Sequence, residues 1–304
     1  MIRALPILFF LIVPFFFLGL ITRVKAIWAG RQGAPLLQTV YDLWKLLRKG
    51  EVISKTTSFV FRLSPSVQIA AVIFAALLVP LPGQPSLISF PGDFIFFTYA
   101  LGLAKFMLVA AAMDTGSSFE GMGASREVTF STIVEPAFFL LLGSLALITG
   151  QTSFASIFAL LNYSAGYSVL VKSLCALALF IMLLVEGCRV PVDDPNTHLE
   201  LTMIHEVMIL DYSGPDLAFL VYAAGLKMVL IATLLANMLI PASAGTAGLL
   251  LFGGVMALTA VGVGLVESLM ARTRMSHVTQ FIFLMTALAV TTFSVVLFFQ
   301  GGGF

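Results

Sequence analysis

EGCRVPVDDPNTHLELTMIHEVMILDYSGP runs from Glu186 to Pro215, between the apolar spans Tyr167–Val185 and Leu217–Leu239. It holds Glu186, Asp193, Asp194, Glu200, Glu206 and Asp211 against a single Arg189, with His198 and His205 among them. These are 6 of the 15 carboxylates in a chain of 304 residues that is 60% hydrophobic and 10% charged. Apolar spans of about this length on either side read as membrane helices. Ionisable groups gathered against a membrane point to protons, cations or a charged partner.

The same alternation of apolar span and polar link extends along the whole chain. A mean hydropathy of +1.06 excludes an ordinary soluble domain, in which about a quarter of the residues are charged. The apolar runs lack the period-two alternation of barrel strands, so helices are the spanning element. Eight spans are expected: Ile2–Ile21, Pro65–Leu81, Phe94–Met113, Thr129–Ile148, Tyr167–Val185, Leu217–Leu239, Ala247–Met270 and Val278–Phe299. Arg23, Lys25 and Arg31 follow the first span rather than precede it, and no A-x-A site ends it. It therefore reads as a retained helix, not a signal peptide. The expected fold is all-α, a polytopic membrane protein forming a single bundle over residues 1–304, with no internal repeat.

In the basic first loop, Pro35–Lys49 places Leu36, Leu37, Val40, Leu43, Trp44 and Leu47 on one helical face. Gln38, Asp42, Lys45, Arg48 and Lys49 lie on the other. That pattern predicts an amphipathic helix lying in the membrane interface. The links after spans one, three, five and seven hold 12 of the 16 Lys and Arg, and those after spans two, four and six hold none. The positive-inside rule puts the odd-numbered loops in the cytoplasm, or its topological equivalent, with both termini on the non-cytoplasmic side, and the cell inner membrane is the expected location. Cys175 and Cys188 are thirteen residues apart along one span and cannot bridge each other. No Cys or His spacing of a metal site occurs, so neither zinc nor an iron–sulfur cluster is expected in this chain. A net charge of +1 without a basic aromatic patch gives no sign of nucleic-acid binding.

Lys105, Glu135, Lys172 and Lys227 fall inside spans, with Glu186 and Glu267 near helix ends. Lys172 is placed to snorkel outward. Glu135 and Lys227 suit either an ion pair that locks helices or groups that titrate on a water-filled path. In the acidic segment, Leu199, Leu201, Met203, Ile204, Val207 and Met208 interleave with the acids, which argues for a folded-in segment rather than a solvated loop. Thr197 to Asp211 predicts a short helix, with Thr197 capping and Glu200 completing a capping box. On it His198 and His205 share a face, while Glu200 and Glu206 lie on opposite flanks. His205-Glu206 lacks a second His four residues on, so proton exchange suits the histidines better than metal ligation. A second polar patch, Asp114–Pro136, carries Asp114, Glu120, Arg126 and Glu127 among three glycines. A flexible loop and a functional patch fit it equally well.

The run Gly30-Arg31-Gln32-Gly33-Ala34-Pro35 resembles a signature of the complex I core membrane subunit that seats the peripheral arm. So do Asp114-Thr115-Gly116-Ser117 with Gly123-Ala124-Ser125-Arg126-Glu127, Glu135-Pro136, and Glu186 with Arg189-Val190-Pro191-Val192-Asp193. The resemblance covers essentially the whole chain. Within that family, the run from Asp193 to Glu206 is similar to the branch in membrane-bound group 4 [NiFe]-hydrogenases, such as hydrogenase-4 and formate hydrogenlyase. This resemblance implies a non-catalytic anchoring and coupling subunit, linking redox chemistry to proton or sodium translocation. Its implied partners are hydrogenase large and small subunits, an iron–sulfur subunit and antiporter-like membrane subunits in the lipid bilayer. Fe–S clusters and a NiFe centre belong to those partners, and no cofactor to this chain. By position, Glu135, Glu186, Asp193 and Glu200 match the family's coupling acids. His198, His205 and Glu206 belong to the branch-specific insertion, and Lys227 joins the same path. Arg31, Asp114, Glu120, Arg126, Glu127 and Arg189 form the implied docking face for the arm. The respiratory branch carries Glu in its sixth span where this chain has Lys227, so quinone is not expected. The alternative is the quinone-site subunit of a complex I-type NADH:quinone oxidoreductase, with quinone passing between the first span, the interfacial helix and the sixth span.

Overall fold

The computed structural model describes residues 4–161, 167–193, 203–240, 245–270 and 275–301. In chain order they form α1 (Ala4–Trp28), α2 (Gln38–Leu47), α3 (Phe59–Leu78), α4 (Asp93–Asp114), α5 (Ser118–Thr149) and α6 (Phe154–Leu160). They continue with α7 (Ser168–Glu186), α8 (His205–Met208), α9 (Gly214–Leu239), α10 (Gly245–Leu269) and α11 (Met275–Gly301). There is no strand among the described residues. Eight of the helices are long and apolar enough to cross a membrane, and the protein is a polytopic membrane protein.

The bundle is built around α9 and α7. In its most apolar stretch α9 is 67% buried and α7 56%, against 28% for α11. Leu226, Val229, Leu230, Ile231 and Leu234 of α9 and Leu179, Leu183 and Leu184 of α7 are all closed off from the surface. α3 packs chiefly on α4 and α9, α1 on α10 and α9, and α11 on α5 and α7. The outer faces stay apolar, as at Leu250 and Phe298, because hydrocarbon rather than water surrounds them. α2 rests on α9 and α1 through Leu43. Its Val40, Trp44 and Leu47 remain exposed, and the Arg48 guanidinium lies 4.5 Å over the Trp44 ring. The interfacial helix is therefore present where the sequence places it, three residues shorter at its start.

Three spanning helices carry an interior proline: Pro14 in α1, Pro65 in α3 and Pro136 in α5. Proline has no N–H, so each deprives the carbonyl four residues earlier of its helical donor. A tyrosine fills the gap in two of the three. Tyr222 of α9 donates its hydroxyl to the Phe10 carbonyl at 3.2 Å. Tyr212 donates to the Phe61 carbonyl at 2.9 Å while stacking on the Phe61 ring, centroids 4.0 Å apart. These bonds tie distant parts of the chain at points where a membrane helix would otherwise hold a bare acceptor.

The links sort by side of the membrane. At one end the first, third and fifth meet: Val52 N–H donates to Ser213 Oγ at 2.9 Å and Ser58 N–H to the Asp114 carboxylate at 2.7 Å. At the other end Gly92 N–H donates to the Thr152 carbonyl at 2.8 Å and Asn237 to the Pro80 carbonyl at 2.7 Å. Among the described residues, the first, third and fifth links thus lie at one end of the bundle and the second and fourth at the other.

Two boundaries differ from the sequence reading in an instructive way. α5 begins at Ser118, not Thr129, so most of the Asp114–Pro136 patch is helix and not loop. Its first turns are too polar for a hydropathy signal and are held by packing against residues 203–211. The helix expected from Thr197 is seen only as His205–Met208. Asp193 accepts hydrogen bonds from Ile204 N–H at 3.0 Å and His205 N–H at 3.1 Å, which caps the turn there. Thr197, His198 and Glu200 lie outside the described residues.

Candidate functional site

Glu186 is the last residue of α7, and its side chain is buried inside the bundle. Lys105 of α4 approaches one carboxylate oxygen at 2.6 Å and Lys227 of α9 the other at 3.1 Å. Lys105 also lies 3.5 Å from Glu127 of α5. Four spanning helices therefore contribute to one charge cluster. One carboxylate shared by two ammoniums is a stable arrangement only while all members are present, since an unmatched buried charge is costly. The partner of Lys227 is thus Glu186 and not Glu135. Glu135 sits two turns beyond Glu127 on α5, in a surface groove that also exposes Lys105.

Residues 203–213 are folded over this cluster. Besides the two bonds to Asp193, Arg126 donates to the Met203 carbonyl at 2.9 Å, and Asp211 N–H donates to the Glu120 carboxylate at 3.3 Å. Gly123 makes the close approach possible: a Cβ there would lie 2.8 Å from the Ile204 carbonyl oxygen and meet Val207 as well. His205 is brought beside the cluster. A void of 20 Å³ lies between Lys105, Glu127, Lys227 and His205, room for about one water. Burial first, and then the positive charges of Lys227 and Lys105 against the opposing Glu186, push the His205 pKa down to about 3. His205 is therefore neutral near pH 7, able both to accept and to donate a hydrogen bond.

On the other side of His205 a cavity of 110 Å³ lies between α1, α9 and the turn after α7. Leu18, Gly225 and Met228 supply its apolar wall, and Arg189, Asp193 and Glu206 its polar one. Cys188 also borders it, with φ at 50°; burial pushes its thiol well above the ordinary range, which keeps it protonated and unreactive. A second ionic group closes the edge of this region. The buried Glu267 carboxylate of α10 takes Lys25 of α1 at 2.7 Å and Arg189 at 3.3 Å.

Of the predicted path residues, Glu186, Lys227 and His205 meet at the cluster, while Asp193 and Glu206 line the adjoining cavity. Glu135 lies at the far side of Lys105, and His198 and Glu200 fall outside the described residues. Of the predicted docking residues, Arg31 is exposed. Asp114 accepts from the first turn of α3, Glu120 and Arg126 hold the 203–211 segment, Glu127 faces Lys105, and Arg189 pairs with Glu267. Lys105, Lys25 and Glu267 were not among the predicted site residues. The signal for Lys105 was its position mid-span, shared with Lys227. For Lys25 and Glu267, no local pattern announces a pair so distant in sequence.

The profile of the family described as NADH dehydrogenase matches residues 2–299. Hydrogenase-4 component C of Escherichia coli (strain K12) is 33% identical over 241 residues, covering 78% of this chain and 74% of that protein. Formate hydrogenlyase subunit 4 of the same strain is 31% identical over 266 residues, 84% of this chain and 85% of that one. Among solved structures, a chain of the archaeal membrane-bound sulfane sulfur reductase, a respiratory membrane complex, superposes with a TM-score of 0.82. It covers 97% of this chain and 98% of its own, at 22% identity. That likeness is one of fold.

Proposed function

The chain belongs to the NADH dehydrogenase family, and we propose that within it the protein is the arm-anchoring, energy-coupling membrane subunit of a group 4 [NiFe]-hydrogenase-like complex. Redox chemistry takes place in docked soluble subunits holding iron–sulfur clusters and a nickel–iron centre. Antiporter-like subunits in the membrane carry the translocated proton or sodium ion. The chain itself binds no redox cofactor, and it sits in the inner membrane with both termini on the non-cytoplasmic side.

The observation that carries this reading is the row of ionisable groups gathered across the bundle. It runs from the 110 Å³ cavity at Asp193 and Glu206, through His205 and the one-water void beside Lys105 and Lys227, to Glu186 between those two lysines, with Glu135 beyond Lys105 in the groove that both line. Such a line lets a change in charge at the cavity alter the protonation of the next group, and so on to the far side, with no redox group in the membrane. The two E. coli relatives favour the hydrogenase branch.

The cavity between α1 and α9 lies where a quinone would enter under a complex I-type alternative. Its 110 Å³ falls well short of the roughly 300 Å³ at which small-molecule pockets begin, which favours the hydrogenase-type reading. Purification through a tag on this chain, with metal analysis of the same sample, tests the two. Nickel with iron and antiporter-like subunits is the expected result. Iron with flavin or quinone and no nickel would transfer the chain to the respiratory branch. Recovery of the chain alone would overturn both.

A further inference from the structure

The third interior proline lacks the partner that the other two have. Pro136 leaves the Thr132 carbonyl without its helical donor, and among the described residues no tyrosine or other side chain donates to it. Thr132 lies in a groove of 480 Å³ between α4 and α5, with Glu135 and Ser131 beside it. Glu135 makes no ion pair within 4 Å and no hydrogen bond among the described residues. The buried Ser131 hydroxyl also has no partner. Glu135 and the Thr132 carbonyl thus lie together in a groove that has Lys105 in its lining and a rim, Tyr99 and Phe106, that is 67% and 65% exposed on a membrane-facing side. Lipid chains offer no hydrogen bond, and in hydrocarbon such groups are satisfied by a neighbouring helix.

We propose that the α4/α5 groove is the seat of a membrane-spanning helix from another subunit, one that presents a cationic side chain such as lysine to Glu135. The proposal rests on the reading of the chain as one subunit of a membrane complex, and it assigns where the next subunit joins. Charge selects the occupant: the carboxylate of Glu135 and the Thr132 carbonyl both accept, so the incoming group donates. Shape agrees. A Cβ added to Gly102 of α4 would meet nothing within 4 Å, which leaves room for a second helix backbone to approach closely, as small residues allow in membranes. A lysine seated there would sit across Glu135 from Lys105 and would extend the line of charges out of this chain.

The test uses the intact complex, purified through this chain. Thr132 is replaced by photoreactive benzoylphenylalanine, with the same replacement at Leu250, 81% exposed on α10, as control. The expected product is a crosslink from position 132 to a lysine-bearing membrane helix of a stoichiometric subunit, and to lipid alone from position 250. Gly102→Leu, whose Cβ meets nothing in this chain, should abolish both the crosslink and the recovery of that subunit, while Gly102→Ala keeps them and both retain the soluble subunits. Crosslinks to lipid alone at position 132 in a complex that otherwise co-purifies would overturn the groove assignment without touching the functional reading. A chain that brings down no partner at all would instead remove the functional reading.

Discussion

Glu186 neutralises two lysines at once, so its replacement separates structure from proton chemistry more sharply than any other single change. Glu186→Gln leaves Lys105 and Lys227 buried with one weak partner, Glu127 at 3.5 Å, and is expected to cost roughly 3–5 kcal/mol. Thermal unfolding in detergent should show a large drop, partly recovered by adding Lys227→Met, which removes one of the stranded charges. An unchanged midpoint would mean that the cluster does not hold the helices. His205 gives the pH dependence. Its pKa in the docked segment is about 3, whereas a released His titrates near 6.5. Between those values the released form binds the extra proton, so the docked form is fully favoured above about pH 6.5 and loses stability progressively as pH falls toward 3. Hydrogen-exchange protection of residues 203–212, corrected for the intrinsic pH effect, should decline over that window. His205→Asn should flatten the decline.

At the scale of elements, residues 203–213 form a strap held by side chains from α3, α4 and α5 rather than by a helix of its own. Tyr212→Phe keeps the ring stack on Phe61 but strips the Phe61 carbonyl of the Tyr212 hydroxyl, at about 1–3 kcal/mol. Gly123→Leu should lift the strap altogether, since the Ile204 backbone cannot yield to a side chain at that position. Limited proteolysis between α7 and α9 measures both, with the leucine variant cut faster than the phenylalanine one. The sequence reading of these elements succeeded where hydropathy decides. All eight spans and the interfacial helix follow from apolar length and period. It fell short where tertiary contacts decide: Ser118–Thr129 carries too many polar groups to look like part of a span, and becomes one because the strap packs on its glycine. Of the predicted helix from Thr197, the described residues hold His205–Met208, where the Asp193 carboxylate caps the turn. Glu186 and Lys227 stand out in the sequence because charge in or beside an apolar span is conspicuous, and Asp193 and His205 because they belong to an acidic link between two spans. That Lys105 and not Glu135 completes the cluster depends on how α4 is rotated, which periodicity does not report.

At the scale of the whole molecule the coupling proposal predicts a divorce between turnover and gradient. Glu206→Gln should leave assembly and nickel content intact, while the ion gradient built per turnover in proteoliposomes falls. A variant with full turnover and full gradient would remove its residue from the path. The pairing of interior prolines with tyrosines has a consequence of another kind. Pro14 with Tyr222, and Pro65 with Tyr212, can each be lost by a lineage in one safe order. A descendant that first trades Pro65 for alanine regains an amide for the Phe61 carbonyl and frees Tyr212 to drift to phenylalanine. One that loses the tyrosine first passes through an ancestor with a naked acceptor. Proline should therefore disappear before tyrosine along surviving branches, and sequences with the proline but without the tyrosine should be scarce among descendants.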